Sequence, residues 1–279
     1  MKKGKFLAVA IIVSLILLVQ PNIRTTIWNF FASQDIVSQL GFKGSNIPNV
    51  KSTQPSVTND SEKQEIQKRQ KEIIQSLKEF TFEDQQVIEV NGNQPVFSKE
   101  DLTIPSNPDY WEEYSNLDFL NRVGVANALL SKSAMPTEER KSIAHVKPTG
   151  WKNKKIIFNG KQDYLYNRSH LIGFQLTGQN DNPKNLFTGT RALNANFEHP
   201  ENSMVYFENK VAEYIRTTNH HVRYQVTPIF KGVDMVCSGV WMQAQSIEDE
   251  SIKFSVYIFN VQPNYTIDYL TGNSKVSNQ

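Results

Sequence analysis

Three runs near the C-terminal end, Val222 to Phe230, Met235 to Gln245 and Ile252 to Val261, alternate apolar with polar residues and are joined by short Gly- or acid-containing turns. A period of two puts successive side chains on opposite faces of a strand, and connections this short leave no room for a crossover helix. The runs therefore argue an antiparallel meander. Helical spacing occurs in the same chain. "ENSMVYFENKVAEYIRTT" repeats Met204, Phe207, Val211 and Ile215 at steps of three and four. Leu117, Leu120, Val123, Ala126 and Leu129 give the same expectation for 116–131, and Pro136-Thr137 in "AMPTEER" the start of another helix. "QQVIEVNGNQPVF" adds a short strand, an Asn91-Gly92 turn and a second extended piece. The fold class expected is α+β.

At 279 residues, with 39% hydrophobic and 21% charged residues, the chain suffices for one large domain or two small ones. A single cysteine, Cys237, excludes an internal disulfide, and nothing near it would lower its pKa, so it reads as a buried structural thiol. The net charge of +2 says little, but Lys141 to Lys231 holds thirteen Lys and Arg against six Asp and Glu. That excess suits either a polyanionic partner or a plain solvated face. At the other end Lys2, Lys3 and Lys5 precede the apolar run "FLAVAIIVSLILLV", Phe6 to Val19, with Ile23, Ile27, Trp28, Phe30 and Phe31 beyond it. The run suits a signal peptide in length, yet no small-residue cleavage site follows closely, which favours an uncleaved anchor with the C-terminal domain outside the cell. Secretion is the alternative if the segment is cleaved. The expected organisation is anchor or signal over 1–31, flexible polar linker over 32–60, a stalk-like helix over 61–80 opened by Ser61, and the main domain over 81–279.

Between these parts lies "YLYNRSHLIGFQLTGQNDNPKNLFTGTRALN", Tyr164 to Asn194. No Gly-rich phosphate loop, CxxC pair, HExxH or Gly-x-Ser-x-Gly elbow occurs anywhere. The stretch "DYLYNRSHLIGF" reads as a strand ending in polar Asn167 to His170, and "LFTGTRALNANFEHP" as a short helix capped near Thr188 or Thr190 and stopped by Pro200. Strand, loop and helix would bring His170 and Asn194 to face each other. A histidine with an unperturbed pKa of about 6.5 suits a base that deprotonates water near neutral pH. A magnesium ion needs few protein ligands, and a neutral carboxamide such as Asn194 leaves its charge undiminished for a phosphate, to which Arg168 adds a guanidinium. Taken singly each residue also has an ordinary structural reading, and Asn180, Asn182 and Asn185 beside Pro183 read as turn formers.

Their order and spacing resemble the DNA/RNA non-specific endonucleases of the ββα-metal group, including membrane-bound DNA-entry and secreted nucleases of Gram-positive bacteria. "NRSHLIGFQL" resembles the Asp-Arg-Gly-His signature, "NPKNL" the first asparagine motif and "TRALN" the metal-ligand motif; further similarity spans about Thr81 to Gly272. The resemblance implies a ββα finger packed on an antiparallel sheet with flanking helices. It implies His170 as general base, Arg168 near the scissile phosphate, Asn185 holding the site or the substrate, Asn194 binding magnesium directly and Glu208 binding it through water. Glu208 would otherwise read as a solvated helix residue. Manganese is a candidate substitute, and no small-molecule cofactor is expected. Arg191, Lys152, Lys154 and Lys155, with Lys147 and Lys161, would grip the phosphates of DNA, and of RNA, giving 5′-phosphate ends with little sequence preference. Asn167 and Ser169 depart from the signature, where Asp and Gly are typical; a lost carboxylate would shift His170 downward in pKa. They leave open the alternative of a membrane-tethered nucleic-acid-binding protein without turnover.

Overall fold

The computed structural model describes residues 59–277; the expected anchor and most of the linker lie outside them. Among the described residues, no helix is long and apolar enough to cross a membrane. The first helix, α1 (Asn59–Glu79), leads into β1 (Val87–Glu89). A six-stranded antiparallel sheet follows, with β2 (Trp111–Tyr114), β3 (Ala126–Leu130), β8 (Val222–Ile229), β9 (Gly239–Ser246) and β10 (Lys253–Phe259) in the order β1-β10-β9-β8-β3-β2. The three C-terminal strands form the meander expected, in registers from Val222↔Ser246 to Ile229↔Gly239 and from Lys253↔Gln245 to Phe259↔Gly239.

The period of two divides this sheet into two apolar faces. Tyr224, Val226, Val240, Met242, Ala244, Val256 and Ile258 face one core, which they share with Met204, Phe207, Val211 and Ile215 of α4 (Met204–Thr218). Ile229, Trp241, Tyr257 and Phe259 point the other way, into a cluster with Leu77 of α1. Helix α1 is therefore docked and not a solvated stalk: Leu77 is 1% exposed, Ile66, Ile73 and Ile74 pack around it, and Gln70 Nε2 donates to the Val96 carbonyl at 2.7 Å. Its stripe is thin because only one edge of the helix meets the sheet.

Two expectations for helices fail. The residues 116–131 form a tight turn and then strand β3, because Asp118 draws the chain back on itself, accepting from the Leu120 and Arg122 N–H groups and from Arg122 Nε at 2.8–2.9 Å. After it, Ala126 to Leu130 is a nearly continuous apolar run that fits a strand buried between β2 and β8. The "AMPTEER" segment offers no apolar stripe to bury, and apart from a single 3-10 turn at Lys132–Ala134 the chain from 131 to 154 is irregular. At Asn91–Asn93 all three residues take positive φ in a 3-10 turn, and β1 pairs with β10, not with a strand following the turn.

The site region is built from small pieces on the α4 side. β4 (Lys155–Phe158) and β5 (Lys161–Tyr164) form a hairpin turned at Asn159-Gly160, where both residues adopt positive φ, as a two-residue type I′ turn requires. β6 (Tyr166–His170) pairs antiparallel with β7 (Leu186–Thr190), from Tyr166↔Thr190 to His170↔Leu186. The single strand expected over "DYLYNRSHLIGF" is thus two strands with different partners, broken at buried Leu165. Helix α2 (Phe174–Thr177) lies after β6, and α3 (Arg191–Asn194) follows β7 directly, capped by Thr190 Oγ1 accepting from the Leu193 N–H at 3.1 Å.

Candidate active site

A cleft of about 820 Å³ opens where β6, α3 and α4 meet the irregular 131–154 segment, lined among others by Arg140, Trp151, Tyr164, Asn167, Arg168, His170, Gly173, Arg191, Asn194 and Glu208. His170, at the C-terminal end of β6, is the most constrained of them. Its Nε2 lies 2.9 Å from the Asn180 carbonyl. A carbonyl only accepts, so Nε2 carries the proton and Nδ1 is left as the basic nitrogen. Burial lowers the pKa of this imidazole and the charge of Arg140 lowers it further, against the opposing pull of the Asn180 and Gln179 carbonyls. The lowered value expected from the loss of a carboxylate at 167 is present in sign, but its causes are burial and Arg140.

Asn185 is fully buried and reaches no substrate space. Its Oδ1 accepts from the Ile172 N–H at 2.9 Å and its Nδ2 donates to the Ile172 carbonyl at 3.0 Å. The carboxamide thus imitates a strand's backbone and prolongs the β6–β7 ladder by two residues beyond His170, fixing the turn that aims the imidazole.

Asn194 closes α3 and lines the cleft half-buried, its carboxamide without a hydrogen bond to any described residue. Glu208 projects from the first half of α4 and is only 6% exposed, contrary to its reading as a solvated helix residue. Desolvation pushes its pKa up to about 8, against Arg140 and the Gly173 N–H, which pull it down. Space for its carboxylate depends on Gly173: a Cβ there would lie 2.6 Å from Oε2. Beneath, the Tyr224 hydroxyl is buried with no hydrogen-bond partner among the described residues, and burial and the Glu208 charge hold its pKa up. A buried carboxylate with so little compensation is expensive unless a cation sits beside it. Among the described residues no three His, Cys, Asp or Glu side chains are placed to hold a metal. One carboxamide and one carboxylate suit an ion that retains most of its waters, which is magnesium's habit.

The cations divide differently from expectation. Arg168 lines the cleft, but its guanidinium is held by the Val146 carbonyl through Nε and the Ala144 carbonyl through Nη2 at 2.8 Å, and lies 4.3 Å from the centre of the Trp151 ring. It fastens the 131–154 segment over the site. Arg191 also lines the cleft, with its charge met by Asp163 at 2.7 Å. Lys154 donates to the Ser274 carbonyl at 2.9 Å and sits over the Tyr265 ring, so it pins the C-terminal β-hairpin of Tyr265–Ile267 and Ser274–Val276. Lys152 and Lys155 are exposed but outside the cleft, as are Lys147 and Lys161. The cation that faces His170 and Glu208 is Arg140, which the sequence reading missed. No local signal could have found it, because its place depends on where an irregular segment is tied down: Lys141 N–H donates to Asn180 Oδ1 at 3.1 Å and His145 meets Asp181 at 3.2 Å.

The departure at Ser169 is absorbed across the hairpin. Ser169 is fully buried, and a Cβ on Gly189 would lie 2.3 Å from its Oγ. Asn167 lines the cleft with Nδ2 buried and without a partner.

The family model for DNA/RNA non-specific endonucleases matches residues 103–248, which include every cleft residue from Arg140 to Glu208. This chain belongs to that family. NucA from Streptococcus agalactiae, solved with a magnesium ion bound, is 25% identical, with a TM-score of 0.62 over 77% of this chain and 98% of NucA. NucA with no metal bound gives 26% identity and a TM-score of 0.60 over 77% and 97%. The Sda1 nuclease with bound zinc gives 26% and 0.54 over 60% and 82%. The chain is thus a nuclease, and the reading as a binding protein without turnover falls. Cys237 takes no part: it is buried, and its thiol pKa is pushed up to about 12.

Proposed function

We propose that the cleft hydrolyses phosphodiester bonds of DNA and RNA without sequence preference, using magnesium, with His170 as the general base, and that it acts outside the cell. The observation behind this is the fixed tautomer of His170. Its Nε2 is committed to the Asn180 carbonyl, leaving Nδ1 in the cleft that also holds Asn194 and Glu208. Water would give its proton to Nδ1 as its oxygen attacks phosphorus, and the P–O3′ bond would break, the departing O3′ taking a proton from solvent, leaving a 5′-phosphate and a 3′-hydroxyl. Asn194 through its carboxamide oxygen and Glu208 through an intervening water are the residues that would hold the ion. When bound, such an ion supplies positive charge to the phosphate and the departing oxygen. Arg140, in the lining of the same cleft, adds a second positive charge, and Asn185 keeps the imidazole aimed.

Magnesium is supported by the ion in the NucA structure and by the small protein ligand set, and manganese is proposed as a substitute. The family's own description names both nucleic acids. Action outside the cell, by a membrane anchor or after secretion, is supported by the N-terminal lysines ahead of an apolar run. The test incubates the protein with supercoiled plasmid and with RNA in magnesium, in manganese, in EDTA, and with His170→Ala. Degradation that requires the metal and falls about a hundred- to ten-thousandfold in the variant is expected, the range a general base supplies. Equal degradation by His170→Ala would overturn the assignment of the base.

A further inference from the structure

Phe197 lies three residues beyond Asn194 and is 77% exposed. A single exposed apolar ring is ordinary on a protein surface, but three features set this one apart. Its loop is braced, because buried Asn196 accepts through Oδ1 from the Glu198 and His199 N–H groups at 3.2 and 3.1 Å and from Asn159 Nδ2 at 3.2 Å. Its ring is backed by a cation: the Arg191 guanidinium lies 4.9 Å from the ring centre, itself held by Asp163. Its place is beside the cleft and not in its lining: the Arg191 that backs it lines the same cleft as His170 and Asn194, as does Tyr164, a second aromatic that is 52% exposed. Phe119 makes the contrast. It is 85% exposed in the 118–122 turn, and among the described residues no cation is stacked on it and no residue that lines the cleft backs it.

A flat, fixed, cation-backed ring beside a phosphodiester site fits the face of a nucleobase, with which it can stack whatever the base. In a closed duplex both faces of each base are already covered by neighbours, so the ring can be used only by a base that has left the stack. We propose that Phe197, backed by Arg191, is a stacking platform for a nucleobase close to the scissile phosphate, so that the enzyme takes single-stranded or locally opened strands in preference to closed duplex. The inference rests on the reading of the cleft as the phosphodiester-cleaving site.

The test measures binding without turnover, in the His170→Ala background with magnesium. Fluorescein-labelled single-stranded DNA is compared with a series in which one nucleotide at a time is abasic. An intact strand is expected to bind about tenfold tighter than the weakest abasic one, in keeping with the known size of base–aromatic stacking. Adding Phe197→Ala should collapse that ratio to within about twofold, while Phe197→Trp and Phe119→Ala retain it. A Phe197→Ala ratio equal to that of its parent would overturn the platform, as would indifference to every abasic position. A loss uniform across intact and abasic strands would overturn it too, since that is the mark of a fold or charge effect. In the parental enzyme, Phe197→Ala should also lower kcat/KM for single strands relative to duplex. Failure of that parental enzyme to cut anything would count against the proposed chemistry, and the binding ratio would still decide the platform.

Discussion

On the sheet face that carries α1, Arg223 is 3% exposed and its Nη groups reach the Ala128 and Tyr224 carbonyls, Asn127 Oδ1 and Asp101, with the rings of Phe97 and Trp111 stacked at 4.7 and 4.8 Å. Asn127, Gln225 and Gln243 continue that chain of hydrogen bonds to the Val96 N–H. Through the sheet, on the α4 face, Glu208 has a single backbone N–H beside it, and the Tyr224 hydroxyl, Ser169 Oγ and Asn167 Nδ2 have no partners. Both regions bury polar groups. One satisfies nearly all of them internally, Arg223 Nε being the exception, and so stabilises the fold; the other leaves several short, which costs stability and reserves them for a ligand. Substitution should therefore separate stability from activity cleanly.

The largest effect is expected on the satisfied side. Arg223→Met should cost about 3 kcal/mol by stripping several buried acceptors of their donor, lowering Tm by roughly 6–12 °C. Its kcat, read well below that Tm, should stay within about twofold, because nothing in the cleft is touched. A variant that keeps its Tm would break the comparison. On the short side, Glu208→Gln should raise the magnesium Kd by about ten- to a hundredfold, the size typical of lost metal-site support. The metal-free Tm should not fall. Glu208 titrates at about 8 in the fold against 4.5 when unperturbed. Its ionisation therefore destabilises the metal-free protein progressively as pH rises from about 4.5 to 8. The Gln variant lacks that loss, so calorimetry at pH 5 and pH 8 should find its relative Tm rising between the two.

A smaller effect tests the base. Because the fold lowers the His170 pKa, the acid limb of kcat/KM should have its midpoint below 6.5. Arg140→Gln removes a charge that disfavours the imidazolium, so the limb should move up towards 6.5. A pH profile of the two proteins decides it, and a limb that stays put would remove Arg140 from the site's electrostatics. The smallest effect belongs to Ser169→Gly, which deletes an unpartnered hydroxyl and leaves a glycine in a short strand; these oppose each other, and a change in stability below about 1 kcal/mol is expected by thermal melt.

What could be read from the sequence tracks how local its cause is. The meander and α4 follow from periodicity and stand where residue pattern alone puts them; of the helix expected over "LFTGTRALNANFEHP", with a cap at Thr188 or Thr190 and a stop at Pro200, only Arg191–Asn194 forms, capped by Thr190, because Leu186–Thr190 is taken up as β7 against β6. His170, Arg168, Arg191, Asn194 and Glu208 do meet in one cleft, as motif order implied. The 116–131 segment misled because steps of three and four also fit a turn followed by a buried apolar strand, and only the Asp118–Arg122 contacts and the seat beside β8 settle which forms. Asn185 is a strand extension and not a substrate contact, a distinction that needs the position of Ile172. Charge alone does not place the lysines: a carbonyl from the far C-terminal hairpin holds Lys154, and Arg140 arrives on an irregular segment tied to Asn180 and Asp181.

The pairing of Ser169 with Gly189 also constrains how this protein can change over time. The room for the hydroxyl is taken from the opposite strand, where a Cβ would meet it at 2.3 Å and the Phe187 ring at 3.2 Å. The two positions therefore cannot be altered in either order. Loss of the side chain at 169 is open at any moment, whereas a side chain at 189 becomes tolerable only after that loss, and even then crowds Phe187. A library that varied position 189 alone would record it as immutable and would miss that its intolerance is set by a neighbour's history.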